Sequence, residues 1–378
     1  MSAQDATRSR PPAPPAWGWV LEFVVCPICR RTLVIDQLSD DGRDGVVGHA
    51  GGICSEVYPV IDGIVRLLSA GARPGLIEGR GDWFSSSPFA ARFQHWRRQD
   101  HDDGAALKLV ARFDDEWRAF SRVGTIEQER VFGQYFDVVP GDLLRSGHVV
   151  LDAGCGAGRW AFAVQGRGAR VVAMDLGRSV ELAERSTRDT GRVACVQADV
   201  RDLPVRAGAF DLVYSLGVLH HVGPTERAVR GLAKAVRPGG ALLIYLYYAL
   251  DGRPLVYRAL YRGVDAVRHL SSRLPHSLLV GLTTALAAFV YFPLARLARL
   301  LRGVGLRAVS DSLPLSFYAD LSFATMRNDS LDRFGTKLEK RYTRTEVHQM
   351  LEGAELRQVV VSDGQPYWHA IGWAAGAE

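Results

Sequence analysis

The chain has 378 residues, 47% apolar and 23% charged, with a formal net charge of +5. It is long enough for one large domain with additions or for two domains. Its basic excess is almost all arginine, the only lysines being Lys108, Lys234, Lys337 and Lys340; modest charge read as spread along the chain does not require a nucleic-acid partner. Five cysteines, Cys26, Cys29, Cys54, Cys155 and Cys195, do not make a secreted disulfide framework. The polar, Pro-rich residues ahead of Trp17 lack the apolar core of a signal peptide. Residues 1–16 are therefore expected to be a disordered tail, and the location cytoplasmic.

Residues 17–70 read as a small module. It carries Cys26-Pro-Ile-Cys29, then Cys54, then Tyr58-Pro59-Val60-Ile61-Asp62-Gly63-Ile64. Two thiolates on one tight turn converge on one metal, so a C-x-x-C pair is a common half of a tetrahedral zinc site. Residues 71–145 read as helices and loops rich in aromatics, among them Trp83, Phe84, Phe89, Phe93 and Trp96, with Phe113, Trp117 and Phe120 at helical spacing.

From Gly147 the pattern changes. Val149, Val150 and Leu151 form a short apolar run suited to a buried parallel strand. Asp152, Gly154, Gly156 and Gly158 follow, then a helix-compatible segment from Arg159 to Gln165. Glycines suit such a turn because a Cβ would block positive φ and close approach of a ligand, while N–H groups at the helix start face whatever binds. The G-x-G-x-G spacing, with an acid two residues ahead, differs from the G-x-G-x-x-G of dinucleotide folds. A carboxylate there favours a ligand with a cationic amino group; the plain alternative is a helix cap. Strand 171–175 ends in Asp175, about 20 residues on, where an acid can accept both hydrogen bonds of a ribose diol. Strand 193–198 ends in Asp199, whose carboxylate can accept from an adenine amino group while Val200 packs on the ring. Strand 210–215 leads to Leu216-Gly217-Val218-Leu219-His220-His221, and Val236-Arg237-Pro238-Gly239-Gly240 precedes a fifth strand. Cys155 and Cys195 read as packing residues.

Each element alone has a dull explanation, but their ordered occurrence over about 100 residues does not. The stretch resembles class I S-adenosylmethionine (SAM) dependent methyltransferases, and the L-H-H and R-P-G-G motifs resemble the methyltransferase-11 type. The resemblance implies an α/β fold: a seven-stranded, mostly parallel Rossmann-like sheet whose last strands are Leu356 to Val361 and Tyr367 to Ala374, the final one antiparallel. It also implies a cofactor site of Asp152, Gly154, Gly156, Gly158, Asp175, Leu176, Asp199, Val200 and Leu216. The first module resembles a zinc ribbon that precedes some bacterial methyltransferases and is related to the zinc-binding activator subunit of tRNA methyltransferases. That pattern has a second C-x-x-C before the Tyr-Pro. Here Gly51 holds the earlier position, and His49 can complete a set with Cys26, Cys29 and Cys54; a ribbon folded without metal is the alternative. Phe113 to Phe120 resembles a segment that covers the cofactor in this group. The expected organisation is a tail (1–16), a zinc-ribbon-like module (17–70), a helical cofactor and substrate cover (71–145), a SAM-binding core (146–248 with 351–378) and a helical lid insertion (249–350).

The insertion alternates arginine with apolar residues from Leu255 to Leu274, and has no charge from Ser277 to Ala295. A span needs about 20 apolar residues, but a span here would split the last strands from their sheet. Lid helices over an apolar substrate are favoured, with a basic face on a membrane surface or a buried homodimer hairpin as alternatives. The expected activity is methyl transfer to a small, apolar acceptor: O- or C-methylation of a secondary metabolite, quinone or lipid-like molecule. His220 or His221 serves as general base where the acceptor must lose a proton, or else has a structural role. The alternatives are an rRNA or tRNA base methyltransferase and a non-catalytic SAM-binding scaffold. No Lys/Arg–aromatic stripe supports nucleic-acid binding.

Overall fold

A computed structural model describes residues 15–51, 54–98, 125–249, 263–265, 267–268, 271, 273–335, 340–364 and 368–376. Its strands are β1 (Val34–Leu38), β2 (Gly45–Gly48), β3 (Tyr58–Ile61), β4 (Ile64–Arg66), β5 (Val149–Ala153), β6 (Arg170–Asp175), β7 (Val193–Gln197), β8 (Phe210–Leu216), β9 (Val236–Tyr245), β10 (Arg357–Val361) and β11 (His369–Trp373). They lie in one sheet in the order β1-β2-β3-β4-β7-β6-β5-β8-β9-β11-β10. From β4 to β9 every neighbouring pair is parallel, and β11 runs antiparallel to both β9 and β10. Strands β5, β7 and β8 are buried along their whole length, which explains their near-continuous apolar sequence. The chain winds outward from β5 to β6 and β7 on one side, and to β8 and β9 on the other. The β5–β8 boundary is thus the switch point, where α/β sheets bind ligands beyond the strand carboxyl ends.

The expected seven strands are present and contiguous, but among the described residues the sheet has eleven. The reason lies at β7. As an edge strand it would present unpaired main-chain groups. Instead β4 adds in parallel, with Val65 opposite Val196 and Arg66 opposite Gln197, and β3, β2 and β1 continue antiparallel from it. Strand pairing is reinforced by an ionic seam against the helix Val180–Thr187. Arg66 is fully buried, donates to Gln197 Oε1 at 2.9 Å and faces Glu181 at 3.6 Å. Burial lowers its pKa to about 10, which still leaves it charged at neutral pH. Arg80 bridges Glu181 and Asp62, and Arg43 reaches Glu184. On the other face the Arg170 guanidinium lies 4.9 Å from the Trp19 ring centre.

The aromatics between 71 and 98 pack as core. Phe93 and Trp96 lie 5.4 Å apart, Tyr58 meets Trp96 edge-on at 6.3 Å, and Arg73 sits over the Trp96 ring. The Phe113 to Phe120 segment lies outside the described residues. In the insertion a long rod, helix His276–Leu286 continuing through a π-helical turn into Phe292–Gly303, packs on the helix Phe323–Gly335. The helix Arg344–Glu352 then opens with the Thr343/Glu346 capping box and leads into β10.

Removing one partner from a buried ion pair strands the others. Arg66→Ala is therefore expected to lower unfolding free energy by ~3 kcal/mol, read as a fall in the urea midpoint.

Candidate active site

The first loop of the site is built by main-chain bonds from β6. Met174 O accepts from the N–H groups of both Gly154 and Cys155, at 2.7 and 3.0 Å, which pulls the turn across the end of the neighbouring strand. The turn needs φ of +89° at Gly154 and +80° at Gly158. Space is a second demand: a Cβ on Gly154 would sit 2.3 Å from Val218 Cγ2, and one on Gly158 would sit 2.7 Å from Ala183 Cβ. Gly156 N–H donates to Asp175 Oδ2 at 2.9 Å. Gly177 N–H donates to Asp175 Oδ1 at 2.7 Å. One N–H on each oxygen fixes the carboxylate plane at the tip of β6, and a carboxylate oxygen can accept more than one hydrogen bond.

Asp152 is the unusual member. It is 1% exposed, and its Oδ2 has no hydrogen-bond partner among the described residues. Burial pushes its carboxyl up to about 8 and the charge of Asp175 adds to the rise, against the opposing influence of the Tyr214 hydroxyl and the Ala161 N–H. The helix Arg159–Gln165 is capped by Gly158 with no side-chain cap, so Asp152 does not occupy the cap position. A buried carboxylate oxygen without a donor is costly, and a cation supplied by a ligand resolves it.

Asp199 sits one strand further out and caps the short turn Val200–Asp202, accepting from Arg201 N–H at 2.8 Å. The Arg201 guanidinium also holds it, at 2.8 Å through Nε. A ligand amino group would therefore share this carboxylate with Arg201. Leu176 and Val200 are half-buried, and Leu216 is buried at the tip of β8 opposite Tyr245 of β9. Cys155 and Cys195 are buried thiols, raised in pKa by desolvation, as packing residues should be.

His220 and His221 lie on a tight turn directly after β8, both buried. Their rings are 4.1 Å apart. His220 stacks on Tyr247 at 3.8 Å and 25°, and neither of its ring nitrogens finds a partner among the described residues. Burial, then the neighbouring His221 and Arg341, hold its pKa well below the ordinary histidine range. It is a neutral imidazole at pH 7, able to take a proton.

Around it stand residues that the sequence reading did not single out. Tyr245 meets Tyr135 edge-on at 5.0 Å, and Tyr135 meets Trp160 at 5.1 Å. Asp137 holds this wall in place: His369 donates to it through Nε2 at 2.5 Å, and Ser362 Oγ donates at 2.8 Å. Tyr245 could have been found as the last residue of a strand whose tip lies at the ligand edge. Tyr135 and Asp137 carried no signal, since Asp137 lies 232 residues from His369.

A second cluster lies in the N-terminal module. One ligand atom from each of Cys26, Cys29, His49 and Cys54 lies within 4.8 Å of the others, and Cys29 Sγ is 3.7 Å from His49 Nε2.

A glycine turn at the switch point, with carboxylates ending three successive parallel strands, defines a SAM-dependent methyltransferase. Residues 151–244 match the family described as Methyltransferase domain. The ubiquinone biosynthesis O-methyltransferase of Bordetella avium is 30% identical over 176 residues, 43% of this chain and 70% of that relative. The malonyl-[acyl-carrier protein] O-methyltransferase of Enterobacter lignolyticus is 33% identical over 120 residues, 32% of this chain and 46% of that one. A chain from the complex of the Haloferax volcanii Trm112 methyltransferase activator with a methyltransferase is 14% identical with a TM-score of 0.38, over 73% of this chain and 100% of that one. The chain belongs to the SAM-dependent methyltransferase family.

The Asp152 carboxyl, protonated below pH about 8, would have to lose its proton to hold an ammonium group. Affinity for the demethylated product, S-adenosylhomocysteine, is expected to fall by up to ~10-fold per pH unit below that value. Binding should release a proton to the buffer, as calorimetry in buffers of different ionisation enthalpy will show; Asp152→Asn should weaken binding and flatten this dependence.

Proposed function

We propose that this protein O-methylates a small, apolar, hydroxyl-bearing acceptor, with a structural zinc in its N-terminal module. The observation that carries the first part is His220: a buried neutral imidazole with unpartnered nitrogens, walled by aromatic rings, just past the strand tip where the cofactor glycines converge. Both curated relatives named above are O-methyltransferases by name, which supports the reading without fixing the acceptor.

Asp152 would hold the amino-acid ammonium of SAM, Asp175 the ribose, and Asp199 with Val200 the adenine; the glycine turn lets the main chain close on the ligand. SAM, when bound, supplies a methyl group on a cationic sulfonium. The pocket residues exclude water and orient the acceptor, and positioning of this kind can contribute most of the acceleration. Tyr135, Trp160, Tyr245 and Tyr247 provide flat apolar surface for an aromatic or quinone-like ring. His220 takes the hydroxyl proton at a ring nitrogen, becoming an imidazolium that then returns the proton to solvent. His221, whose ring is tilted 57° against that of His220 at 4.1 Å, positions it. The tyrosines are poor candidates for the base: burial raises the pKa of Tyr245 well above its ordinary value, so it stays protonated.

His220→Ala is expected to slow turnover by about 100-fold or more while leaving S-adenosylhomocysteine binding intact, measured by mass spectrometry against a panel of phenolic, quinol and lipid-like acceptors. Because burial holds its pKa well below the ordinary histidine range, kcat measured with cofactor and acceptor saturating should stay level through neutral pH and be lost only on the acid side of that range. A normal turnover number in the variant, or efficient methylation of RNA alone, would remove this reading.

For the second site, zinc–sulfur bonds of ~2.3 Å and zinc–nitrogen bonds of ~2.0 Å place tetrahedral ligand atoms about 3.5–3.8 Å apart. The Cys26, Cys29, His49 and Cys54 cluster needs only a slight contraction to meet that. The donor set, three thiolates and an imidazole, is a structural zinc set with no open position. Elemental analysis of purified protein is expected to give about one zinc per chain, lost in a Cys29→Ser, Cys54→Ser double variant with a lowered melting temperature. Metal-free native protein of unchanged stability would show a ribbon that folds without metal.

A further inference from the structure

The rod Ser277–Gly303 is a single helical stretch of 27 residues, about 40 Å long at 1.5 Å per residue. One face is packed: Thr283, Ala287, Tyr291, Ala295 and Ala298 are buried, and Ser330 Oγ donates to Thr283 O. The exposed side carries Leu278, Leu282, Phe289, Leu297 and Leu300, while Phe292 at its edge packs against Phe323. Their spacings of four, seven, eight and three residues are each close to whole helical turns and make one stripe, and its most open members face solvent: Phe289 is 81% exposed, Leu300 63% and Leu278 60%. Val304, Leu306 and Val309, just beyond, extend the exposed apolar surface.

Such a stripe needs an occupant, and charge says which. Segment 250–310 contains nine arginines, two aspartates and no lysine or glutamate. Its excess of seven positive charges is larger than the +5 of the whole chain, so the remainder is net acidic. The basic excess, read from composition as spread out, is concentrated in the stretch of sequence that contains the apolar rod. Arg302 is partly neutralised by Asp311 and Asp320, and Arg299 lies 3.7 Å from Asp320. Arg273 and Arg307 are exposed just before and just after the rod. An apolar face flanked by arginine matches the interfacial layer of an anionic bilayer, where apolar side chains enter the acyl boundary and cations meet phosphate.

We infer that the rod Ser277–Gly303 is a peripheral membrane anchor that lies flat on an anionic lipid surface through the Leu278–Leu300 stripe. A perpendicular span is disfavoured by the packed face, which would carry the helix Phe323–Gly335, with Arg327, Asp329 and Arg333, into the hydrocarbon. The anchor is also close to the chemistry. Tyr291 and Ala295, on its inner face, belong to the same buried cluster as Phe136, Trp160 and Tyr214. The inner face of the rod and the aromatic residues before and within the core therefore share one apolar cluster. The inference stands on the surface of the insertion and does not depend on His220 being the base.

The test is co-sedimentation of the purified full chain with vesicles of phosphatidylcholine alone and of phosphatidylcholine with an equal part of phosphatidylglycerol. Binding is expected to the anionic vesicles and to be much weaker on neutral ones. It should fall several-fold between low and high salt and be released by alkaline carbonate. Phe289→Glu with Leu300→Glu should reduce binding at least ~10-fold. Arg273→Glu with Arg307→Glu should do so chiefly at low salt. All these positions are exposed, and retained S-adenosylhomocysteine affinity will show that the variants fold. No vesicle binding by the native chain overturns the inference. So does resistance to carbonate, which means a span, or a stable dimer that the Phe289/Leu300 variant dissociates, which means that a second copy covers the stripe.

Discussion

The Asp152 carboxylate, placed where water cannot reach it, is the constraint on which the site depends. It ends a central strand with parallel neighbours on both sides, and one of its oxygens lacks a donor. A charge in that position is unstable unless a cation meets it. The surrounding turn is arranged so that one can. Met174 draws two successive N–H groups onto β6, Asp175 holds Gly156, and the glycines leave room that side chains would fill. In the proposed reading, affinity for a zwitterionic adenosyl ligand would come from a polar group the protein leaves unsatisfied by itself.

The acceptor side follows the same logic at lower polarity. His220 is desolvated and kept neutral, and its neighbours are rings. That wall is assembled from four distant parts of the chain: the helix before the core, the turn after β8, the end of β9, and the start of β11, which ties back through His369 to Asp137. In the insertion Tyr291 packs on Tyr318, whose hydroxyl donates to Asp329. The insertion's inner face is packed core, and its outer face has an apolar and cationic character of its own.

The N-terminal module is joined to the enzyme more intimately than a tethered appendage. It supplies four strands to the sheet, shields what would otherwise be an open edge, and shares a buried arginine with β7. A metal in the Cys26–Cys54 region would therefore stiffen the same sheet whose opposite reaches hold the cofactor turn. Edge protection is a structural reason for such a module to precede this core, independent of any partner.

Much was legible in the residues alone, because it depended on local backbone chemistry. Positive φ, close approach and strand burial leave their mark as glycine, acid and β-branched residues at fixed spacing, so the core strands, the glycine turn, the place of Asp175 at a strand tip, the Thr343/Glu346 cap and the grouping of the cysteines could be read directly. What only the tertiary structure decided were relations between residues far apart in the chain. These include the eleven-stranded sheet made by β4 joining β7, the seam at Arg66, the Tyr135–Tyr245 wall held by Asp137, the orphaned nitrogens of His220, and the side of the long helix that is left uncovered. Those depend on which surfaces meet after folding, and pairing across more than 100 residues is governed by packing and desolvation that no local pattern encodes.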